Sequence, residues 1–176
     1  MNVRDYLSGD EYTRKRELVW GVVRERPAPR FGHQSLVLQI GMLLRLHVRE
    51  HDLGAVCVAP ADVVLDEFKD LIVQPDVFFI RKERLAIVGD QVWGAPDLVV
   101  EISSPRTAVY DSVTKVEWYR TYGVRECWLV DPRSRTVTVI DLHPTGAEPR
   151  RFSGDERVRC GVLPAFAAPA DELFEV

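Results

Sequence analysis

The hydrophobic pattern of the chain predicts two long helices. Residues 35–50 carry apolar side chains three or four positions apart, which is the spacing of a helix with one buried face, and Gly54 lies just beyond their end. Residues 108–122 have similar spacing and are closed by Gly123. A third helix, short and polar, is predicted for residues 5–16.

Runs of β-branched and aromatic residues predict the strands. Residues 17–26 are a strand or a tight hairpin with Gly21 at its turn. The later strand-like runs are residues 55–65, 71–80, 98–103, 126–130 and 136–142, with a further hairpin in 143–160 and a short helical turn in 81–96. Pro60 in the first of these runs indicates an edge strand or a bulge. The tail from residue 163 is expected to be irregular or a single helical turn.

The order of these elements predicts an α/β (α+β) fold, with a mixed central sheet flanked by helices. At 176 residues, 46% hydrophobic and 28% charged, the chain fits a single globular domain over residues 1–176. A net charge of −4 argues against coating nucleic acid by charge alone. No apolar run has the length of a membrane span or the character of a signal peptide. The three cysteines are widely spaced and predict neither disulfides nor a zinc knuckle, so a reducing cytoplasm is expected.

Two acidic residues stand beside strongly apolar runs. Asp76 follows Gln74-Pro75, and Glu101 lies within a strand-like run of valine, leucine and isoleucine. A carboxylate on a buried strand is costly unless it meets a metal ion or another cation. Carboxylates on successive strands can converge on one divalent ion, as metal-assisted phosphodiester hydrolysis requires. The alternative is that Asp76 occupies a turn and Glu101 pairs with an arginine.

A set of motifs between residues 74 and 132 carries a family resemblance. The motifs are Gln74-Pro75-Asp76-Val77, the run from Gly94 to Pro105, Asp111 with Lys115 and Tyr119, Gly123-Val124, and Trp128-Leu129-Val130-Asp131-Pro132. Together they resemble the Uma-type restriction endonuclease family of the PD-(D/E)XK nuclease superfamily, whose members are mostly inferred to be nucleases. The similarity extends from about residue 17 to the C-terminus. It implies a restriction-endonuclease-like core with additional β-hairpins and a magnesium-dependent nuclease site.

The resemblance also implies a set of metal ligands. Asp76 and Glu101 are expected to bind Mg²⁺, or Mn²⁺ in its place, through hard oxygen atoms. The carbonyl of Ile102 is a further candidate ligand. Asp62 is another, although it could equally be a polar residue on a sheet edge. The superfamily pattern has a lysine two residues after the second acid, where this chain has Ser103.

Lys115 is the candidate for the missing lysine, because superfamily members are known in which that residue lies on a neighbouring element. It would orient or deprotonate the attacking water and stabilise the developing charge. The alternative is an ordinary lysine facing solvent from its helix. His33 is expected to position water or contact a phosphate near a helix N-terminus, or else to be a loop or capping histidine. Glu17 and Glu25 are the acidic residues of the N-terminal segment whose roles stay open.

The expected function is therefore hydrolysis of DNA by a Mg²⁺-dependent endonuclease. DNA is the expected partner, and a homodimer is expected because cutting two strands is most simply done by two sites related by a two-fold axis. One alternative is a nuclease-fold protein that binds nucleic acid or another partner without hydrolysis, which Ser103 and the acidic net charge favour. The other is a metal-dependent hydrolase of RNA or of a small phosphate ester. No Walker loop, dinucleotide fingerprint or nucleophile elbow occurs in the sequence.

Overall fold

The computed structural model describes residues 1–9, 15–103 and 110–175, with the side chains of 110–113 excepted. Its helices are α1 (Val3–Leu7), α2 (Phe31–Glu50) and α3 (Tyr110–Tyr122), with short 3-10 helices at Lys82–Ile87 and Asp171–Phe174. Its strands are β1 (Arg16–Val19), β2 (Val22–Glu25), β3 (Gly54–Val58), β4 (Val63–Asp66), β5 (Leu71–Val73), β6 (Val77–Arg81), β7 (Val92–Trp93), β8 (Leu98–Ile102), β9 (Glu126–Asp131), β10 (Thr136–Asp141), β11 (Arg150–Ser153), β12 (Arg157–Arg159) and β13 (Ala167–Pro169).

Two sheets dominate the described part of the chain. The larger has the order β11-β10-β9-β8-β6-β3, in which β8 and β9 are parallel and the other neighbours antiparallel. The smaller has the order β2-β1-β5-β4-β7, and β12 pairs with β13 in a separate ribbon. A mixed sheet accompanied by helices confirms the predicted α/β architecture.

Alternate residues of β6 and β8 serve two separate cores. Phe79 is fully buried with Ile40 of α2 in one cluster. Its neighbour in sequence, Phe78, projects to the opposite face of the sheet and is buried with Tyr119 of α3 and with residues of the smaller sheet. Each such aromatic or aliphatic side chain contributes about 1.5–3 kcal/mol relative to an exposed one. The large sheet is therefore covered by α2 on one face and by α3 with the smaller sheet on the other.

Two predicted strands are each divided between the two sheets. Residues 55–65 form β3 of the larger sheet and β4 of the smaller one, and the chain crosses between them at Pro60. Residues 71–80 likewise form β5 and β6, separated by Gln74-Pro75-Asp76. Proline lacks the N–H that a central ladder needs, so the pairing stops there and the chain can change sheets. The second crossover places Asp76 between the two sheets.

The sequence prediction was wrong at several element ends. The predicted helix over 5–16 ends at Leu7, and Arg16 already belongs to β1. α2 begins at Phe31, four residues before its predicted start. The predicted hairpin in 143–160 does not form: β11 pairs with β10, and β12 pairs with β13.

Other predicted elements are confirmed. The segment 17–26 is the β1–β2 hairpin, and β9 and β10 form the second predicted hairpin. α3 covers residues 110–122 of the predicted helix, whereas its residues 108–109 lie outside the described part. The same is true of the side chain of Asp111, which belongs to the quoted motifs.

Candidate active site

Asp76 immediately precedes β6, and Glu101 lies on β8, the neighbouring strand of the large sheet. The antiparallel register pairs Val77 with Val100, and one further step places Asp76 opposite Glu101. Residues directly opposite each other in such a pair project to the same face. Oδ2 of Asp76 accepts the backbone N–H of Ile102 at 2.8 Å, which ties the crossover to β8. The Glu101 carboxylate meets Lys115 and Tyr119 of α3, whereas the Asp76 carboxylate meets Lys15 and His33.

The Asp76 carboxylate is buried and surrounded by cationic groups. Its Oδ1 accepts a hydrogen bond from Nζ of Lys15 at 2.7 Å, and Nε2 of His33 lies 3.4 Å from its Oδ2. Burial alone would raise the pKa of Asp76, but the His33 contact and the Lys15 charge outweigh burial and hold that pKa well below its usual range. The hydrogen bond to Asp76 in turn raises the pKa of His33. Asp76 is thus an anion at neutral pH, and His33 is more readily protonated than a free histidine.

Lys115 points into the site from α3. Its ammonium is 2.6 Å from Oε1 of Glu17 and 3.1 Å from Oε1 of Glu101, and its side chain is only 7% exposed. Burial opposes the charged form, yet the two carboxylates raise the pKa of Lys115 above its ordinary value. A permanent buried cation therefore lies against the second acid of the pair.

Two further residues hold this cation and its partner in place. Glu17, on β1, accepts the backbone N–H of Gln74 at 3.1 Å as well as the Lys115 ammonium. Burial would raise the pKa of Glu17, but the charges of Lys115 and Lys15 lower it overall. The hydroxyl of Tyr119 donates to Oε1 of Glu101 at 2.5 Å, and burial together with that carboxylate raises the pKa of Tyr119 well above its ordinary value. Tyr119 therefore remains a neutral donor.

Asp62 makes a different set of contacts. Its Oδ1 accepts hydrogen bonds from Nε2 of Gln74 at 2.9 Å and from the hydroxyl of Tyr6 at 3.4 Å, and burial raises its pKa. The contact with Gln74 links Asp62 to the segment that immediately precedes Asp76. Glu25 is exposed on β2.

The donor chemistry of the pair suits a hard divalent ion, since carboxylate oxygens are what Mg²⁺ binds. The hydrogen bonds from Lys115 and Tyr119 both reach the Oε1 atom of Glu101. Asp76 already attracts a cation, the Lys15 ammonium. In the described part of the chain, however, no three His, Cys, Asp or Glu side chains come together as a preformed cation site. Lysines supply the positive charge that balances the carboxylates.

Sequence reasoning missed two members of the cluster. Lys15 lay within a predicted surface helix, and its arginine neighbours made it look like part of a solvated basic run. Tyr119 belongs to the quoted motifs, but no role in the site was predicted for it, and the structure buries its ring in the core. A pattern of hydrophobic positions does not reveal that the Tyr119 hydroxyl contacts Glu101.

The chain matches a known family model over most of its length. The Uma2 family model, described as "Putative restriction endonuclease", matches residues 4–171. The chain belongs to the Uma2 family. A crystal structure titled as a putative nuclease belonging to DUF820, from Anabaena variabilis, superposes on this fold with a TM-score of 0.85 at 18% identity, covering 99% of this chain and 97% of the other. No curated protein matches the chain.

The expected resemblance and restriction-endonuclease-like fold are therefore confirmed. Membership of the Uma2 family supports a nuclease, and hence a hydrolase acting on nucleic acid. Among the described helices, none combines the length and apolar character needed to cross a membrane.

Proposed function

We propose that this Uma2 protein is a Mg²⁺-dependent endonuclease that hydrolyses phosphodiester bonds in DNA. The observation that carries the proposal is the buried ammonium of Lys115 against Glu101, on the strand next to Asp76. Two carboxylates on adjacent segments, with a lysine against one of them, match the elements of metal-assisted phosphodiester hydrolysis. Family membership supplies independent support for nuclease chemistry.

Asp76 and Glu101 are the residues that would hold the metal ion, with the carbonyl of Ile102 as a further oxygen ligand. Asp62 is a more remote candidate, because its carboxylate contacts Gln74 and Tyr6. A bound Mg²⁺ would polarise a phosphoryl oxygen and lower the pKa of a coordinated water. Mn²⁺, with the same preference for oxygen, is expected to substitute.

The side chains around the pair have distinct roles. Because its pKa is raised, Lys115 stays protonated, so it orients the attacking water and stabilises the negative charge that develops on the phosphate. Glu17 and Tyr119 are positioning residues that hold Lys115 and Glu101 in register. His33, at the first turn of α2, can contact a phosphate or share a proton with Asp76.

The assembly and compartment belong to the same proposal. Two sites related by a two-fold axis would cut both strands of a duplex, so we expect a homodimer. The three free cysteines, two of them buried, suit the reducing cytoplasm.

The Lys15–Asp76 contact favours a second candidate. An ammonium 2.7 Å from Oδ1 of Asp76 already neutralises the carboxylate that a metal would need. A protein that keeps this ion pair would bind nucleic acid without hydrolysing it. The two candidates differ in whether a divalent ion displaces Lys15.

Cleavage of supercoiled plasmid tests the proposal. The wild type should cut in Mg²⁺ or Mn²⁺ and not in chelator, and Asp76→Ala and Glu101→Ala should each abolish cutting. Parallel reactions with an RNA transcript separate a DNase from the alternative RNA substrate. Absence of metal-dependent cutting by a folded wild type would favour the binding protein.

A further inference from the structure

A cavity of about 240 Å³ lies beside the contact between Lys115 and Glu17. Its lining combines those two active-site residues with two tryptophans and two arginines, Trp20, Trp118, Arg24 and Arg26. A volume just below the ~300–1,000 Å³ of small-molecule pockets suits a single ring system. The cavity thus joins flat aromatic surface and positive charge to the proposed catalytic lysine.

The two tryptophans come from different elements and meet at the cavity. Trp20 is at the tip of the β1–β2 hairpin and is 47% exposed, and Trp118 is on α3. Their ring centroids are 5.8 Å apart and their planes are 84° apart. A planar ligand can therefore stack on one indole while its edge meets the other.

The backbone at Trp20 is unusual for a bulky residue. Its φ is +52°, followed by +78° at Gly21, in the left-handed region that turns normally fill with Asn, Asp or Gly. The turn is held by the α-amino group of Met1, which donates to the Gly21 carbonyl at 2.9 Å, and by the Gly21 N–H, which donates to the carbonyl of Asp70 at 3.4 Å. An exposed indole is thus kept on a braced turn despite its conformational cost, as is common where a residue serves binding.

The charges around the cavity complement a phosphate chain. Arg24 is exposed on β2, and Arg26 lies 3.8 Å from Oε2 of Glu17 near the other end of the hairpin. Guanidinium groups bind phosphate oxygens through paired N–H donors. The hairpin therefore offers phosphate contacts next to an aromatic platform, the combination by which proteins hold single-stranded nucleic acid.

Resting on the nuclease function proposed above, we propose that this cavity binds one unstacked nucleobase of single-stranded DNA, with the base against Trp20 and Trp118 and the flanking phosphates at Arg24 and Arg26. The adjacent phosphodiester then lies towards Lys115. The preferred substrate is accordingly DNA that is single-stranded or locally opened, rather than a closed duplex.

Fluorescence anisotropy in the presence of chelator tests this binding without cleavage. The probes are a labelled 12-nucleotide oligothymidine and an abasic strand of equal length and charge. The variants are Trp20→Asn, whose new residue tolerates positive φ, and Trp118→Leu. The control is Trp93→Asn, because Trp93 is similarly exposed, at 42%, but does not line the cavity.

We expect the wild type to bind oligothymidine at least about fivefold more tightly than the abasic strand. Trp20→Asn and Trp118→Leu should remove most of that preference and leave the affinity for the abasic strand unchanged, whereas Trp93→Asn should behave as the wild type. Equal binding of the two strands by the wild type, no binding of either, or equal effects of Trp20→Asn and Trp93→Asn would overturn the proposal. Since no divalent ion is present, these outcomes are independent of whether plasmid is cut.

Discussion

The Nζ atom of Lys115 lies 3.1 Å from Oε1 of Glu101, although the two residues belong to different elements. Lys115 reaches the acid from α3, whereas the superfamily pattern has its lysine two residues after the acid, on the same strand. Ser103 occupies that position here. Helix α3 thus supplies to Glu101 the ammonium group that the strand does not provide.

Replacing Lys115 tests whether this ammonium serves the reaction. Lys115→Met should lower the cleavage rate at least about 100-fold, because the developing phosphate charge loses its fixed cation. Some loss of stability is also expected, since Glu17 and Glu101 lose their shared partner. The matched control is Lys82→Met, which removes a lysine whose side chain is 59% exposed.

A second lysine variant separates catalysis from folding. In an extended segment, residues two positions apart, such as 101 and 103, project to the same face. Ser103→Lys in the Lys115→Met background should therefore bring an ammonium back to Glu101. We expect partial recovery of cleavage by this double variant. If Lys115→Met alone cuts DNA at the wild-type rate and melts normally, the assigned role of Lys115 is wrong.

Lys15 is predicted to compete with the metal ion. Its ammonium neutralises Asp76 from 2.7 Å, so Lys15→Met should tighten Mn²⁺ binding by roughly tenfold. Calorimetric titration measures the change, with Lys69→Met as the control because Lys69 pairs with Asp66 rather than with Asp76. Unchanged or weaker Mn²⁺ binding in Lys15→Met would show that Lys15 does not occupy the metal position.

Stability should depend on pH through Glu17. Its folded-state pKa is lowered, so its contribution is present above the unfolded value of about 4.5 and is lost as pH falls through the lower folded value. Glu17→Gln should cost about 2–3 kcal/mol at pH 7, because the buried ammonium of Lys115 loses an anionic partner. The difference between variant and wild type should shrink in acid below pH 4.5. Urea unfolding at several pH values measures it, and a difference that is constant from pH 7 to pH 3 would contradict this role.

Tyr119 is predicted to position Glu101 rather than to react. Tyr119→Phe removes the hydroxyl that donates to Oε1 at 2.5 Å and should slow cleavage by about tenfold with little change in melting temperature. Tyr122→Phe, on the same helix, should leave the rate unaltered. Equal rates for wild type and Tyr119→Phe would mean that Glu101 is held sufficiently by its other contacts.

The motifs in the sequence predicted several of the residues that the structure brings together around Asp76 and Glu101. Asp76 and Glu101 were identifiable because a carboxylate inside an apolar run is costly without a partner, and the family resemblance pointed to Lys115. The relative position of Asp76 and Glu101 was harder to predict from the sequence. It depends on the register between β6 and β8, which is set by packing on both faces of the sheet.

The exchange of strands between sheets was not predictable from periodicity. The runs around Pro60 and Pro75 remain apolar on both sides, so each looks like one long strand, and only tertiary pairing assigns the halves to different sheets. Lys15 and Trp20 were missed for a related reason. Charge runs and single aromatic residues carry no signal of what they face, and both side chains reach the site because the β1–β2 hairpin packs against α3 and Asp76.

Calorimetric titration of Mn²⁺ into the apoprotein measures directly whether Asp76 and Glu101 together hold a metal ion. We expect one bound ion per chain for the wild type and for Asp131→Asn, a control at the end of the neighbouring strand β9. Asp76→Asn and Glu101→Gln should each abolish that binding while remaining folded. Mn²⁺ binding of unchanged affinity in both variants would show that Asp76 and Glu101 do not form the metal site.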